Sequence, residues 1–564
     1  MNRFRDYFIN ERSSLGKRAE YFAEKYPDLA IQLKSGARDN DPDVERLLEG
    51  LAYLAANLQL KIDSEVPLLV NKLAELVFPQ VTRVFPSMTI FKFTGTRNMK
   101  EEQKISRGSL IQSEKVDNTR CVYRTYEDVT VKPLEVRKFE YNEIEGKESI
   151  IIEIAGNIKN MSELKELEFY TNNIDVEADF LYLLKNFVKK VEFRCGTSII
   201  EVKGEENIRT KLQYQKDNLE KEFQSGYHIL QRFFVCPESF YMFIISGGDK
   251  LQFTENFEKL SIILHLDSSY KDEELSITRQ KLKEISKENV LLNCVAGINI
   301  YEDKAVPINV EDLSKRHEVN MERNHQNIYK ITNVEGSTKD GSREYQNWSE
   351  KRIDLENSYE TIKYKDSKGR NRLYLQLESS KEEEQKEILH ISLLCTDGEL
   401  CKKLKKGRIN TGSDNIPANV EVRNVTNPTY EYDPFIEEDE KFWKFICQYN
   451  FNIGSRLSVE DLRKLLEMYV PENKRSLGNK ERQRLDSIEE LMIKKERKLH
   501  CGFLEQGLVL SLRIKEEYVT EKGVGDIMLF GEVLRYFLEI VRPLNNYLRL
   551  EISSGKRDMI RSFD

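Results

Sequence analysis

DPDVERLLEGLAYLAANLQLKIDSEVPLLVNKLAELVFP, running from Asp41 to Pro79, repeats apolar side chains at helical spacing. Asp41 suits an N-cap, and Pro42 suits the first helical position, where a missing N–H costs nothing. Val44, Leu47, Leu48, Leu51, Leu54, Ala55, Leu58 and Ile62 then recur at the period of one helix face. Ser64 reads as the cap of a second helix with Leu68, Leu69, Leu73, Leu76 and Val77 on its apolar side, and Phe78-Pro79 as its stop. Such helices carry more apolar surface than one helix pair can hide. That surface belongs either in a core private to this chain or against another chain. Leu47 and Leu54 are a heptad apart, as are Leu51 and Leu58, so the face is seam-like as well as core-like. Leu47, Leu51, Leu54 and Leu58, with Leu69 and Leu73 further on, are the candidate partner-binding residues.

Upstream, residues 2–26 predict one more helix, striped by Phe4, Phe8, Leu15, Ala19, Phe22 and Tyr26 and ended by Tyr26-Pro27. Residues 1–85 therefore read as a helical N-terminal assembly region. Beyond Pro86 the period changes. Strands are predicted at Ser87–Thr94, Arg120–Val131, Ser149–Ile154 and Lys190–Val202, rich in β-branched and aromatic residues. Leu260, Ile262, Leu264 and Leu266 alternate with Ser261, Ile263 and His265, so one face is strongly apolar, while Asp179–Lys190 and Gly226–Phe234 read as helical insertions. The charged run 203–222 reads as a solvated loop or helix end. Residues 335–347, 376–388 and 406–418 are loop-like by composition. They bracket a second β-rich segment that includes Arg372–Leu377 and Leu389–Cys395.

The last third turns mixed. Ser458 and Asp461 form a capping signature, with Leu462, Leu465, Leu466 and Tyr469 on one face behind it. Leu508, Leu510, Leu512 and Ile514 alternate as a strand. Phe530, Val533, Leu534, Phe537, Ile540, Val541, Leu544 and Leu548 read as a long helical stripe that Pro543 kinks or ends. The expected architecture is α+β multidomain: helical 1–85, β-rich 86–310 with helical insertions, a second β-rich domain at 311–430, and a mixed α/β domain at 431–564.

Composition narrows the function. Hydrophobic residues at 39% suffice for folded cores, and a net charge of −8 argues against a nucleic-acid partner. No apolar run is long enough to span a bilayer, and the N-terminus lacks a signal-peptide core, so a cytoplasmic chain is expected. The eight cysteines include no CxxC pair and are expected to be reduced and buried. His228, His265, His317, His325, His390 and His500 fall in no metal-ligand spacing. Gly247-Gly248-Asp249 lacks the lysine and hydroxyl of a phosphate loop and reads as a turn. No G-x-S-x-G occurs. No catalytic centre, metal or cofactor is expected.

The helical stretch, with PLLVNKLAELVFPQVTRVFPSMTIFKF at its end, resembles the N-terminal signature of the TssF family (VasA/ImpG), baseplate subunits of the type VI secretion system. Further blocks fit in family order. They are Arg107-Gly108; Cys121–Thr125 with Asp128-Val129; Ser225–Gln231 with Phe234, Pro237, Glu238 and Phe240; Asn293-Cys294, Asn299 and Pro307; Leu393–Thr396 with Leu400 and Leu404; and Pro428-Thr429 before Trp443. Two positions depart: Tyr301 stands where the family pattern has Phe, and Gln506-Gly507 where it has Arg-Gly. The resemblance implies a structural protein of the baseplate wedge in a contractile injection machine for protein secretion. It implies complex assembly through protein–protein interaction: two copies of this chain with one TssG-like subunit, contacts to TssK-like and TssE-like subunits, and a VgrG-like spike at the centre. It implies a cytoplasmic complex docked at the inner membrane, without membrane insertion by this chain. Two other readings stay open, a wedge protein of a phage tail or extracellular contractile particle and an enzyme with an unrecognised site. Neighbouring genes would separate the first, and a convergent polar pocket would support the second.

Overall fold

A computed structural model describes residues 2–28, 42–77, 83–96, 99–156, 164–172, 174, 176–214, 226–251, 259–267, 276–313, 315–323, 325–338, 341–348, 357–365, 371–379, 386–432, 457–471, 477–500, 503–541, 546–555 and 557–563. The first helix, Asn2–Lys25, ends before Pro27 as the sequence predicts. The second runs unbroken from Pro42 to Val77, without the expected restart at Ser64. Pro67 lacks only the N–H that the Asp63 carbonyl would accept, a cost of about 3 kcal/mol in a helix interior. Good helix formers on both sides propagate the helix past that single loss.

The two helices pack antiparallel. The Phe4 ring meets Tyr53 edge-on at 5.4 Å, and Arg12 pairs with Glu49 at 2.9 Å. Ala52 and Ala56 are fully buried, and their small side chains let two backbones approach. Met1–Thr82 cluster as one compact unit, and Arg83–Phe435 with Cys447–Asp564 as another.

The larger unit is built on stacked sheets, giving an α+β multidomain chain. A six-stranded sheet runs in the order Ile409–Gly412, Leu110–Val116, Thr119–Thr125, Cys294–Ile298, Met88–Gly95, Val420–Asn424. Val420–Asn424, from the segment read as the second β-rich domain, thus pairs with the first strand of the chain. Phe91, Phe93, Ile111, Tyr123 and Val295 fill the core on this sheet.

A five-stranded sheet ends in Leu134–Ile144 and centres on Leu260–Leu266, whose alternation is strictly in-out. A four-stranded sheet ends in Val290–Leu292. The helix Glu177–Phe187 buries Phe180, Leu183 and Leu184 in the core shared by these two sheets. An eight-stranded sheet covers most of 301–396.

Three readings are corrected. Residues 335–347 are not a loop: Asn327–Thr338 and Gly341–Asn347 form a hairpin, with Val334 paired to Tyr345. The hairpin tolerates polar residues because sheet pairing satisfies the backbone and only alternate side chains face the core. Lys190–Val202 is two strands, Val188–Cys195 and Ser198–Lys203, reversed at Gly196, whose φ of 58° is left-handed. Leu548 is not helical. The helix ends at Val541, and Asn546–Ser554 is a strand parallel to Phe503–Ile514, so Val524–Val541 is the crossover helix of a β-α-β unit. Pro543, Leu544, Trp443, Cys447 and Cys501 lie outside the described residues.

Ser458 caps Val459–Glu467 as predicted. Its hydroxyl accepts from the Asp461 amide at 3.2 Å, and the Asp461 carboxylate accepts from the Ser458 amide at 3.2 Å. The Ser458 hydroxyl also donates to that carboxylate at 2.6 Å, and this bond, with the one from the Ser458 amide, holds the Asp461 carboxyl below its usual range.

Candidate partner-binding surface

Among the described side chains of Pro42–Val77, two small ones face inward and a row of large ones faces outward. Ala52 and Ala56 are buried, whereas Leu47, Leu51, Leu54 and Leu58 are 74%, 53%, 65% and 64% exposed, and Ile62 continues the row at 47%. Tyr53 is exposed beside the row and was missed by the sequence reading, which followed aliphatic periodicity alone. The side chains of Leu69 and Leu73 lie outside the described residues. Full burial of one leucine gains about 1.5–3 kcal/mol, so an uncovered row of this length is a standing drive to associate.

The family-like blocks sit elsewhere and are structural. Gly226-Tyr227 opens the helix Gly226–Val235, every residue of which is buried. Tyr227 meets Phe537 at 5.4 Å and Tyr469 at 6.4 Å, and Phe233 meets Phe530 at 6.1 Å. Gly226 lies so close to the Tyr536 carbonyl that no Cβ fits between them.

Several other blocks meet at the six-stranded sheet. The Asn299 amide donates to the Val122 carbonyl and to Asp397, each at 2.7 Å, and the Thr429 hydroxyl accepts from the Met88 amide at 2.9 Å. Tyr301 uses the hydroxyl that a Phe would lack, donating to Asp397 at 2.9 Å and accepting from Gln326 at 2.8 Å. Gly507 lies under the Tyr547 ring, which leaves no room for a side chain there.

Two buried cations are matched by carboxylates of the same chain. Lys211, hidden in the charged run, pairs with Glu127 at 2.8 Å and Glu168 at 3.0 Å. Burial pulls its pKa down, but the two carboxylates outweigh that and leave it above a free lysine's.

Arg484 lies between two carboxylates. It donates to Asp526 through two bonds of 2.9 and 2.7 Å and also pairs with Glu481. Burial raises Asp526, but Arg484 and Tyr518 prevail and hold it below the carboxylate range. For Glu481 burial dominates: with Arg484 opposing and Asp526 adding to the shift, its pKa rises to about 7. One guanidinium thus keeps one carboxylate fully ionised and leaves the other protonatable.

The described histidines stand apart, as His265 on Glu192 at 3.1 Å and His317 on the Asp312 carbonyl at 3.1 Å show. Among the described residues no group of His, Cys, Asp and Glu could hold a metal ion, and no helix is long and apolar enough to cross a membrane. Cys121, Cys195, Cys236, Cys294, Cys395 and Cys401 are free thiols and buried, and burial raises Cys294 and Cys395 to about 12.

Fold and surface together define a large multi-sheet α+β protein whose conspicuous surface is a row of uncovered leucines on a long helix. The family described as "Type VI secretion system, TssF" matches residues 1–564, and the chain belongs to that family. A curated relative, type VI secretion system component TssF1 of Pseudomonas aeruginosa, is 29% identical over 353 residues, covering 57% of this chain and 55% of the relative. The chain therefore spans about half the length of the curated relative it matches.

Two solved structures share the fold. One is a chain of the type VI secretion system TssK-TssF-TssG baseplate subcomplex, with a TM-score of 0.76 and 22% identity, covering 92% of this chain and 98% of that one. The other belongs to the type VI secretion baseplate complex, with a TM-score of 0.60 and 21% identity over 99% and 98%.

Proposed function

We propose that this chain is a structural subunit of a type VI secretion baseplate wedge that works by positioned surfaces and performs no catalysis. The outward leucine row of Leu47, Leu51, Leu54 and Leu58 carries the reading, because a helix that buries its alanines and exposes its leucines is shaped for another helix. The occupant of that row is a TssG-like subunit, with two copies of this chain to one TssG-like chain. Contacts to TssK-like and TssE-like subunits and to a VgrG-like spike complete the wedge. The complex works in the cytoplasm, docked at the inner membrane. Family membership and the fold shared with the baseplate structures support this reading.

Leu51→Asp and Leu58→Asp test it. Each would place an unpaired carboxylate in the seam, at a cost that assembly cannot absorb. Capture of a co-expressed TssG-like partner should be lost while circular dichroism stays unchanged. Undiminished capture by both variants refutes the seam, and loss of the fold itself shows that the row is core.

A further inference from the structure

A cleft of about 760 Å³ opens in the larger unit where three sheets end. Val420–Asn424, Leu134–Ile144 and Val290–Leu292 are the terminal strands of the six-, five- and four-stranded sheets, and each contributes to its wall. A terminal strand offers main-chain N–H and C=O groups on its open side, the template for an added extended segment. On Val420–Asn424 that side is partly taken, the Asn424 carbonyl accepting from the Gly407 amide at 3.0 Å, so the free edges are those of Leu134–Ile144 and Val290–Leu292.

The same wall carries six cations: Lys92, Lys132, Arg137, Lys287, Lys406 and Arg423. Two carboxylates, Glu135 and Glu288, share it, so positive charge prevails locally in a chain whose net charge is −8. Lys132 donates to the main-chain oxygen of Glu166 at 2.5 Å. Lys92, Arg137, Lys287, Lys406 and Arg423 form no ion pair among the described residues.

Strand register sets two of these cations against each other. Lys92 lies directly opposite Arg423 in the antiparallel pair. Directly opposed residues share a face with Cβ atoms about 4.5–5.5 Å apart, where like charges destabilise the sheet. Glu421, two residues along on that face, pairs with neither among the described residues. An arriving carboxylate would relieve the repulsion that this register builds in.

We propose that the cleft receives an extended, carboxylate-rich segment of another protein, aligned on the terminal strands with its acidic side chains on the cations. Half-buried Pro133 and the aliphatic stems of the lysines give the wall apolar surface between the charges, which suits a strand alternating acidic and apolar residues. The wall suits a nucleic acid poorly: Phe93 is its one aromatic side chain among the described residues and is buried, so bases find no stacking platform.

The test uses the full chain and a short fluorescein-labelled peptide of alternating Glu and Val, read by anisotropy. An alternating Lys–Val peptide and a single-stranded oligonucleotide of equal charge serve as competitors. The Glu–Val peptide should bind and weaken with added salt. The double variant Lys92→Gln, Arg423→Gln should raise its Kd about tenfold, and Arg137→Gln with Lys287→Gln, on another strand and in the turn before a third, should weaken it as well. Thermal unfolding of the first double variant should occur at the wild-type temperature or above, since its opposed cations are gone. That outcome separates a binding role from a structural one. No binding above the Lys–Val peptide, preference for the oligonucleotide, or unchanged affinity in both double variants overturns the proposal.

Discussion

Gly226–Val235 with Val524–Val541, and Asn2–Lys25 with Pro42–Val77, are both apolar helix pairs, and they meet water in opposite ways. In the first pair aromatic rings interlock, the leading glycine seats a backbone carbonyl, and no residue of the shorter helix is exposed. In the second pair alanines fill the joint while leucines stand in solvent. Apolar periodicity therefore says that a face will be covered, and side-chain size on each face says by what. Small residues mark the contact already made, and large ones mark the contact still open.

Mutations should divide along the same line. Phe233→Ala, in the sealed pair, should cost about 3–5 kcal/mol by urea unfolding. Asp526→Ala beside it should cost about as much, because it leaves Arg484 buried between Phe233, 4.7 Å from its ring, and Glu481 alone. If Leu54→Ala on the open row costs as much as either, the contrast between the pairs collapses.

The next effect is in pH. Glu481 has a folded pKa of about 7 against 4.5 when unfolded, so the folded state holds more protons in that window. Its contribution is complete below pH 4.5 and is lost as pH rises through 7. Relative to Glu481→Gln, the wild type should lose on the order of 3 kcal/mol across it. Equal pH slopes for the two proteins would show that the site does not titrate there.

Ser458→Ala should cost about 1 kcal/mol, the ordinary worth of an N-cap, since the helix behind it seats Tyr469 on Phe537 at 5.9 Å. Leu54→Ala should come last, within about 0.5 kcal/mol for the isolated chain. Its effect should appear only in partner capture.

Signals that act over a few residues were legible in the sequence. The Ser458–Asp461 capping box, the alternation of Leu260–Leu266, and the helices starting at Asn2 and Pro42 all rest on local chemistry. What depends on distant neighbours was not. Residues 335–347 look like a loop until the strand Glu387–Thr396 pairs alongside. Lys211 looks solvated until Glu127, far upstream, closes on it. The stripe on Pro42–Val77 was readable as apolar, but which side turns inward depends on where Phe4 and Arg12 land. Lys92 and Arg423 are unremarkable in their own segments and become a pair only through register. Tyr301 read as a departure from the family pattern until Asp397 arrived beneath it.

The hydrogen bond from the Met88 amide to the Thr429 hydroxyl joins residues 341 apart. A ribosome adds roughly 5–20 residues per second, so the strand at Met88 emerges some 20–70 s before its last neighbour exists. Cys294–Ile298, on its other side, arrives sooner but still about 200 residues after it. For that interval the chain's first strand is a finished sheet edge without a sheet. The cell must shelter it, and slowing translation between residues 95 and 420 should raise the fraction of chains lost to aggregation.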